Sequence, residues 1–320
     1  MTYLIFTFSI MKRTIKESLS QLLSLIKEIC WFLFAITGSH YFFRWINRKK
    51  ILILTYHGVV KEPLFPSCWT QVTVSSMVYQ LRYMKKNYHI IKLSELLSLL
   101  DNGMPLANYT AVITFDDGYK NNYTLAYPLL KKMSVPASIF LTTGCISNNT
   151  LCWFDQLYLG IKNTAEKKID LNKYGIGLHP LLSLSQKEYA FENIVIRLKE
   201  IPPMEKDIIL EEIFKSLRVG DYNSNEFFDL LSWEDITQMD KEGLIEFGGH
   251  SVTHNILSHL EETDMENEII QSRKEIESYL GKECTMFAYP NGDKSDFTIR
   301  TKDVLRLHGF KCGLSTISGL

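Results

Sequence analysis

From residue 51 onward, short apolar runs alternate with longer stretches whose apolar residues recur at helical spacing. "ILILTY" is apolar and β-branched and predicts a strand, and "VSSMVYQLRYMKKN" after it has helical periodicity. "YHIIKL" predicts a short strand, and "SELLSLLDNG" a capped helix that stops at Gly103. "YTAVITF", residues 109–115, is almost continuously apolar, as a strand buried on both faces would be. "NNYTLAYPLLKKM" predicts a helix and "PASIFLT" the next strand. Between about Asn148 and Asn225 the pattern loosens into mixed helical stretches and the loop-like "LNKYGIGLHPLLSLS", which reads as an insertion. Regularity returns with "SWEDITQMDKEG", where Ser232 and Asp235 have capping-box spacing. The strand "LIEFGG", a charged helix over roughly 261–280, the strand "CTMFAYP", the helix "FTIRTKDVLRLHG" and the strand "FKCGLST" follow. This alternation predicts an α/β fold, a parallel sheet wrapped by helices as a barrel or a doubly wound sheet.

The first fifty residues follow another pattern. "MKRTIKESLSQLLSLIKEIC", from Met11, has Leu and Ile at helical spacing among Lys and Glu, an amphipathic helix. "ICWFLFAITGSHYFF", Ile29 to Phe43, carries no Asp, Glu, Lys or Arg, and the basic "RWINRKK", Arg44 to Lys50, closes it. A spanning helix needs about 20 apolar residues. This stretch is shorter, interrupted by Thr37, Gly38, Ser39 and His40, and fits a cleavable signal peptide poorly. The expectation is a helix at a membrane interface with Trp31 and Trp45 as anchors, or one packed on the following domain. The organisation expected is therefore an amphipathic and hydrophobic segment over residues 1–50, suited to a membrane surface, then a domain over 51–320 with an insertion at about 148–225.

Composition narrows the classes. Hydrophobic residues make up 46% and charged ones 22%, which is globular rather than disordered. A formal net charge of -1 argues against a nucleic-acid partner. Cys30, Cys68, Cys145, Cys152, Cys284 and Cys312 form no CxxC pair, so neither a thiolate zinc site nor a disulfide framework is indicated.

Parallel α/β folds carry their working groups at the carboxyl ends of strands. Those ends hold His57, the pair Asp116 and Asp117, the pair His250 and His254, and the "AYPNGD" turn. Adjacent carboxylates at a strand end point to different sides, and Gly118 permits a tight turn or close approach of a ligand. Asp, Asp and Gly are equally the composition of a solvated turn. His250 and His254, read as i and i+4 on one helical turn, would place both rings on one face around a divalent cation. A strand-end carboxylate completes a two-His-one-carboxylate set with open positions. His259 falls further along and reads as a surface or peripheral group. Tyr119, Trp153, Phe154 and Asp155 are softer candidates for lining a site at this end, Asp155 as a group behind it.

"TFDDGY", "HSVTH" and "FAYPNG", in this order on a β/α chain, resemble the polysaccharide deacetylases, the family with the NodB homology domain. "LTYHGVV" and "LCWFDQL" add to the likeness, which covers roughly residues 51 to 320. The resemblance implies a distorted (β/α) barrel and metal-dependent removal of acetyl from an N-acetylated sugar. It implies Asp116 as general base, and Asp117, His250 and His254 as ligands of one divalent ion. Zinc comes first, with cobalt, nickel or manganese as alternatives. The backbone amide of Asn291, after Tyr289 and Pro290, is the implied oxyanion donor. Amide hydrolysis needs these parts: an activated water, a polarised carbonyl and a proton for the leaving amine.

Two departures accompany the likeness. Many members have Arg where Ala288 stands, leaving the brace for Asp116 unassigned. The usual acid, a His in a late Leu-x-His motif, has no counterpart. His308 reads as a helix C-terminal histidine favoured by the dipole, and "DKSDF" as a turn. Deacetylases of exported poly-N-acetylglucosamine take their acid from an early strand end, which "TYHGVV" resembles, so His57 is the acid candidate. The substrate expected is an acetylated glycan or a lipid-linked sugar, at the membrane or cell envelope, with the cytoplasm as the alternative. A non-catalytic glycan-binding or assembly protein, or an O-acetyl esterase on the same site, are the competing readings.

Overall fold

The apolar runs become strands, and those over residues 110–115 and 137–141 are covered on both faces. The computed structural model describes residues 37–220 and 225–317, and the chain divides between Lys50 and Ile51 into two units. The described part of the first unit holds helix α1 (Ser39–Ile46), where the Arg48 guanidinium lies 4.4 Å over the Trp45 ring. The amphipathic segment expected from Met11, and Trp31, lie outside the described residues. No helix among the described residues is long and apolar enough to cross a membrane.

The second unit opens with β1 (Leu52–Tyr56), then β2 (Gly58–Val60) and β3 (Gln71–Thr73), which pair with each other. Helix α2 (Val74–Asn87), β4 (His89–Ile90), α3 (Leu93–Asp101) and β5 (Thr110–Phe115) follow. Next come α4 (Tyr127–Met133), β6 (Ala137–Leu141) and α5 (Thr143–Ser147). The insertion comprises α6 (Trp153–Asn163), β7 (Lys168–Leu171), β8 (Gly177–Pro180), α7 (Leu184–Lys199) and α8 (Pro203–Leu217). The scaffold resumes with α9 (Trp233–Lys241), β9 (Ile245–Gly249), α10 (Glu262–Leu280), β10 (Met286–Ala288), α11 (Ile299–Leu307) and β11 (Cys312–Leu314). The capping box at α9 is present as expected: Asp235 N donates to Ser232 Oγ at 3.3 Å, and Ser232 N to Asp235 Oδ2 at 2.8 Å. One expectation fails in the insertion. "LNKYGIGLHP" is not all loop: it is the turn and second strand of an antiparallel hairpin of β7 and β8, held because Ile169 and Leu171 of β7 alternate inward onto the insertion's own core.

Seven parallel strands form the main sheet in the order β1-β5-β6-β9-β10-β11, with β4 beside the start of β5. Alternate residues feed two cores, as a pleated strand requires. Ile113, Phe115, Ile139, Leu141 and Phe287 join the layer that includes Met77 and Leu81 of α2, while Val112, Phe140 and Met286 pack with Leu93 and Leu96 of α3. The sheet curls into an open half-barrel: among the described residues no ladder joins β1 to β11. This is the distorted (β/α) barrel expected, the distortion being the missing closure. All carboxyl ends lie on one rim, and Tyr56 pairs with Phe115, so His57 and Asp116 emerge on adjacent strands. Close strand contact is built in at Gly248, where a Cβ would meet Phe140 Cε1 at 2.6 Å and the Met286 carbonyl at 2.7 Å. Gly248→Ala is expected to cost about 1–3 kcal/mol, the scale of overpacking, read from urea denaturation.

Candidate metal centre

Strand β5 is buried along its whole length and ends by turning sharply. Asp117 and Gly118 adopt left-handed backbone, with φ of 71° and 80°. That turn sends the two carboxylates apart. Asp116 donates its N–H to the Tyr56 carbonyl at 2.9 Å, and its carboxyl reaches the cavity at the rim. Asp117 is 1% exposed, with its Oδ1 3.2 Å from His254 Nε2 and 3.5 Å from His250 Nε2.

The two histidines meet, but not on a helical turn. Residues 250–256 form a loop after β9, and Ser251 and His254 both have left-handed φ, 65° and 59°. Local bonds hold this shape: His254 N donates to Ser251 Oγ at 3.0 Å, and Gly144 N to the Val252 carbonyl at 2.9 Å. Glu268 of α10 clamps the loop from below, accepting from Val252 N at 2.7 Å, Thr253 N at 2.9 Å and Thr253 Oγ1 at 2.6 Å. Sequence reasoning missed Glu268, since nothing distinguishes it from the other glutamates of a charged helix.

His250 is oriented by a second bond, its Nδ1 donating to the Ala288 carbonyl at 2.8 Å. That bond fixes the tautomer and leaves the Nε2 lone pair facing Asp117. Burial, and then His254, lower the His250 pKa to about 3 against the pull of Asp117, so the ring is neutral and a competent ligand at pH 7. Burial alone would raise Asp117, but the adjoining His254, whose Nε2 lies 3.2 Å from Oδ1, with His57 and His250, holds it below the ordinary range. Asp117 Oδ1 and His254 Nδ1 are buried without a well-formed hydrogen bond. A buried carboxylate oxygen left so is costly. Donor atoms of Asp117, His250 and His254 lie within 4.8 Å of one another, so these residues fit a divalent cation.

A cavity of about 530 Å³ opens over the triad. His57, Asp116, Asp155, His259 and Asn291 line it, His259 as an exposed residue at its edge, peripheral as expected. The His57 ring stands edge-on to Trp69 at 5.2 Å, and its carbonyl accepts from Asn122 Nδ2 at 2.7 Å. Burial lowers the His57 pKa and Asp117 opposes the shift. Burial, then the Asp117 charge, raise Asp116 well above the ordinary carboxyl range. Among the described residues no side chain hydrogen-bonds the Asp116 carboxyl, so Ala288 leaves the missing brace unreplaced. Asn291, at φ 59°, gives its carbonyl to Thr316 Oγ1 at 2.8 Å.

Three expected site residues do not face the cavity. Tyr119 is wholly buried, its hydroxyl donating to Asp155 Oδ2 at 2.9 Å and its ring edge-on to Phe228. Tyr289 lies flat on Phe297 with centroids 4.1 Å apart, and Pro290 is buried beneath the turn. The strand-end pattern located them, but their apolar rings pack inward. Phe154 does reach the site, its ring edge-on to His254 at 5.0 Å. His308 sits away from the cavity at the end of α11, bonded to Glu266 at 2.8 Å. "DKSDF" is a turn, in which Asp293 N donates to Asp296 Oδ2 at 2.8 Å.

Residues 104–313 match the family described as Polysaccharide deacetylase, a span that includes the triad, Asp116 and Asn291 but not His57. The polysaccharide deacetylase-type protein YxkH of Bacillus subtilis (strain 168) is 30% identical over 154 residues. That match spans 46% of this chain and 51% of YxkH, about half the relative's length. The Streptococcus pyogenes deacetylase PplD in complex with acetate aligns with a TM-score of 0.53 at 18% identity, over 84% of each chain. The BpsB deacetylase domain from Bordetella bronchiseptica gives 0.51 at 17% identity, over 84% of this chain and 89% of that one. At these identities the two structures show a shared fold.

Proposed function

This chain belongs to the polysaccharide deacetylase family, and we propose that it is a metal-dependent hydrolase removing N-acetyl groups from an amino sugar in a polysaccharide or glycolipid. The observation that carries this reading is one cavity holding two kinds of carboxylate. Asp117 converges with His250 and His254, while Asp116 stands beside them uncommitted.

In this reading Asp117, His250 and His254 hold the cation, with zinc as the first choice and cobalt, nickel or manganese as alternatives. When bound, it supplies a Lewis acid that polarises the acetyl oxygen and acidifies water. Asp116 accepts the proton from water, the task of a carboxylate near the metal but not spent on it. The Asn291 amide donates to the developing oxyanion. His57, across the strand pair from Asp116, gives the leaving amine its proton. Asp155, tied to Tyr119, stands behind the ligands. A membrane-surface location is part of the proposal, supported by α1, where Phe42 and Trp45 stack and are 59% and 54% exposed beside Arg48.

The test is acetate release from a panel of N- and O-acetylated saccharides, with chelator and after metal is restored. Release from N-acetylated sugars that chelator stops and zinc restores is expected. Release from O-acetylated sugars alone would replace the amidase reading with an esterase, and release from none would favour the non-catalytic glycan-binding reading. Glu268 offers a second check. Glu268→Ala frees the loop between the two histidines, and a cobalt titration followed by absorbance should show affinity lower by about 10–100-fold. Glu268→Gln keeps one acceptor oxygen and should recover part of it.

A further inference from the structure

The cavity has walls that hydrolysis of an acetamido group does not need. One stripe of α7 contributes Phe191, Val195, Ile196 and Lys199, at i, i+4, i+5 and i+8. Ile196 is 58% exposed, and Trp69, on the same cavity, 68%. Ile256 adds a further aliphatic side chain. A pyranose ring can stack on an indole. Phe191 and Val195 are buried in the insertion's own core, so Ile196 and Trp69 carry the exposed apolar surface. An isoleucine offers a sugar neither a π face nor a hydrogen bond, and what covers it favourably is hydrocarbon.

Lys199 is the second observation. It is half-buried on this cavity, and among the described residues its ammonium makes neither a hydrogen bond nor an ion pair. Asp293, Asp296 and Glu200 share the cavity. Asp296 is engaged in its own turn, accepting from Asp293 N and from Ser295 Oγ at 3.3 Å. A ligand anion would meet these carboxylates as well, so only direct contact with the Lys199 ammonium would hold it. Ile196 and Lys199 are three residues apart on one helix face, so an anion at one and a hydrocarbon at the other belong to a single ligand.

We propose that the substrate is an N-acetylated amino sugar joined through phosphate to a lipid. Its acetamido group sits at the triad, its phosphate at Lys199, and the start of its hydrocarbon along Ile196 and Trp69. This rests on the hydrolase reading above and names its substrate class. The cavity volume falls within the range of about 300–1,000 Å³ that suits one such head and its linker, and a long chain would extend beyond it.

The probes are methyl, octyl and dodecyl glycosides of N-acetylglucosamine and its dodecyl phosphodiester, each below its critical micelle concentration. Acetate release by the zinc-loaded protein gives KM, and calorimetry on the metal-free protein gives binding without chemistry. KM and Kd should fall at least tenfold from methyl to dodecyl, since each buried methylene is worth up to about fourfold. The phosphodiester should bind several-fold more tightly again. Ile196→Asp should bring the dodecyl-to-methyl ratio toward one, and Lys199→Gln should erase the phosphate preference. Acetate release with no dependence on chain length would overturn the lipid assignment and leave the hydrolase intact. Chain-length-dependent binding with no acetate from any probe would keep the ligand class and remove the hydrolase reading.

Discussion

His250→Ala is expected to abolish cation binding and to lower kcat/KM for acetate release by at least about a thousandfold, the scale of losing several kcal/mol of Lewis-acid stabilisation. The size follows from how little else can replace the ring. His250 is 2% exposed, its Nδ1 is committed to the Ala288 carbonyl, and its Nε2 faces Asp117. No other described histidine or cysteine belongs to the cluster. Alanine removes one of three donors and leaves the Ala288 carbonyl without its partner, so the fold must be checked alongside by circular dichroism and thermal unfolding. Asp117→Asn provides the second arm. It keeps the side chain's shape but replaces one carboxylate oxygen by a donor, and it should lose the cobalt absorption bands as His250→Ala does. Either variant retaining full, chelator-sensitive activity would mean that the triad is not where the cation acts.

The parts of this site legible in the sequence are those fixed by strand ends. Apolar runs such as 109–115 mark a strand buried on both faces, and whatever follows such a run must emerge on the rim. Pattern thus puts Asp116, Asp117 and His57 at strand ends, the family resemblance brings His57 to the same site, and the structure pairs their strands residue by residue. The "HSVTH" pair does come together, but by another geometry than the spacing suggests. Four-residue spacing suggests a helix, whereas a left-handed residue at Ser251 and another at His254 bring the rings together in a loop. Left-handed non-glycine residues leave no signature in an apolar pattern. Tyr119 and Tyr289 show the converse error: adjacency to a motif does not say which way a ring points, and both pack inward. Glu268 and Lys199 were invisible because their meaning lies in what another segment brings to them. The insertion hairpin was missed because its strands are four residues each, too short for alternation to stand out from a glycine-containing loop.

Asp116→Asn should lower kcat by about 10²–10⁴-fold, the range for a lost general base, while cobalt affinity stays within a few-fold of the parent. The two readouts separate because Asp116 is outside the donor cluster. Its backbone N–H still bonds the Tyr56 carbonyl in the variant, so the turn at the end of β5 is retained. The pH profile gives a sharper reading than the rate alone. Burial and the Asp117 charge raise Asp116, so activity in the parent should climb as pH rises through that elevated value, where the carboxyl loses its proton. A bound cation favours the carboxylate and moves this limb back down. Burial lowers His57, so the alkaline limb, where the acid loses its proton, should also lie low and narrow the bell. Asp116→Asn removes the acid limb, and His57→Gln removes the alkaline one while leaving the acid limb in place. Parent-level turnover in Asp116→Asn would sink the base assignment. An unchanged alkaline limb in His57→Gln would move the acid elsewhere on the cavity wall.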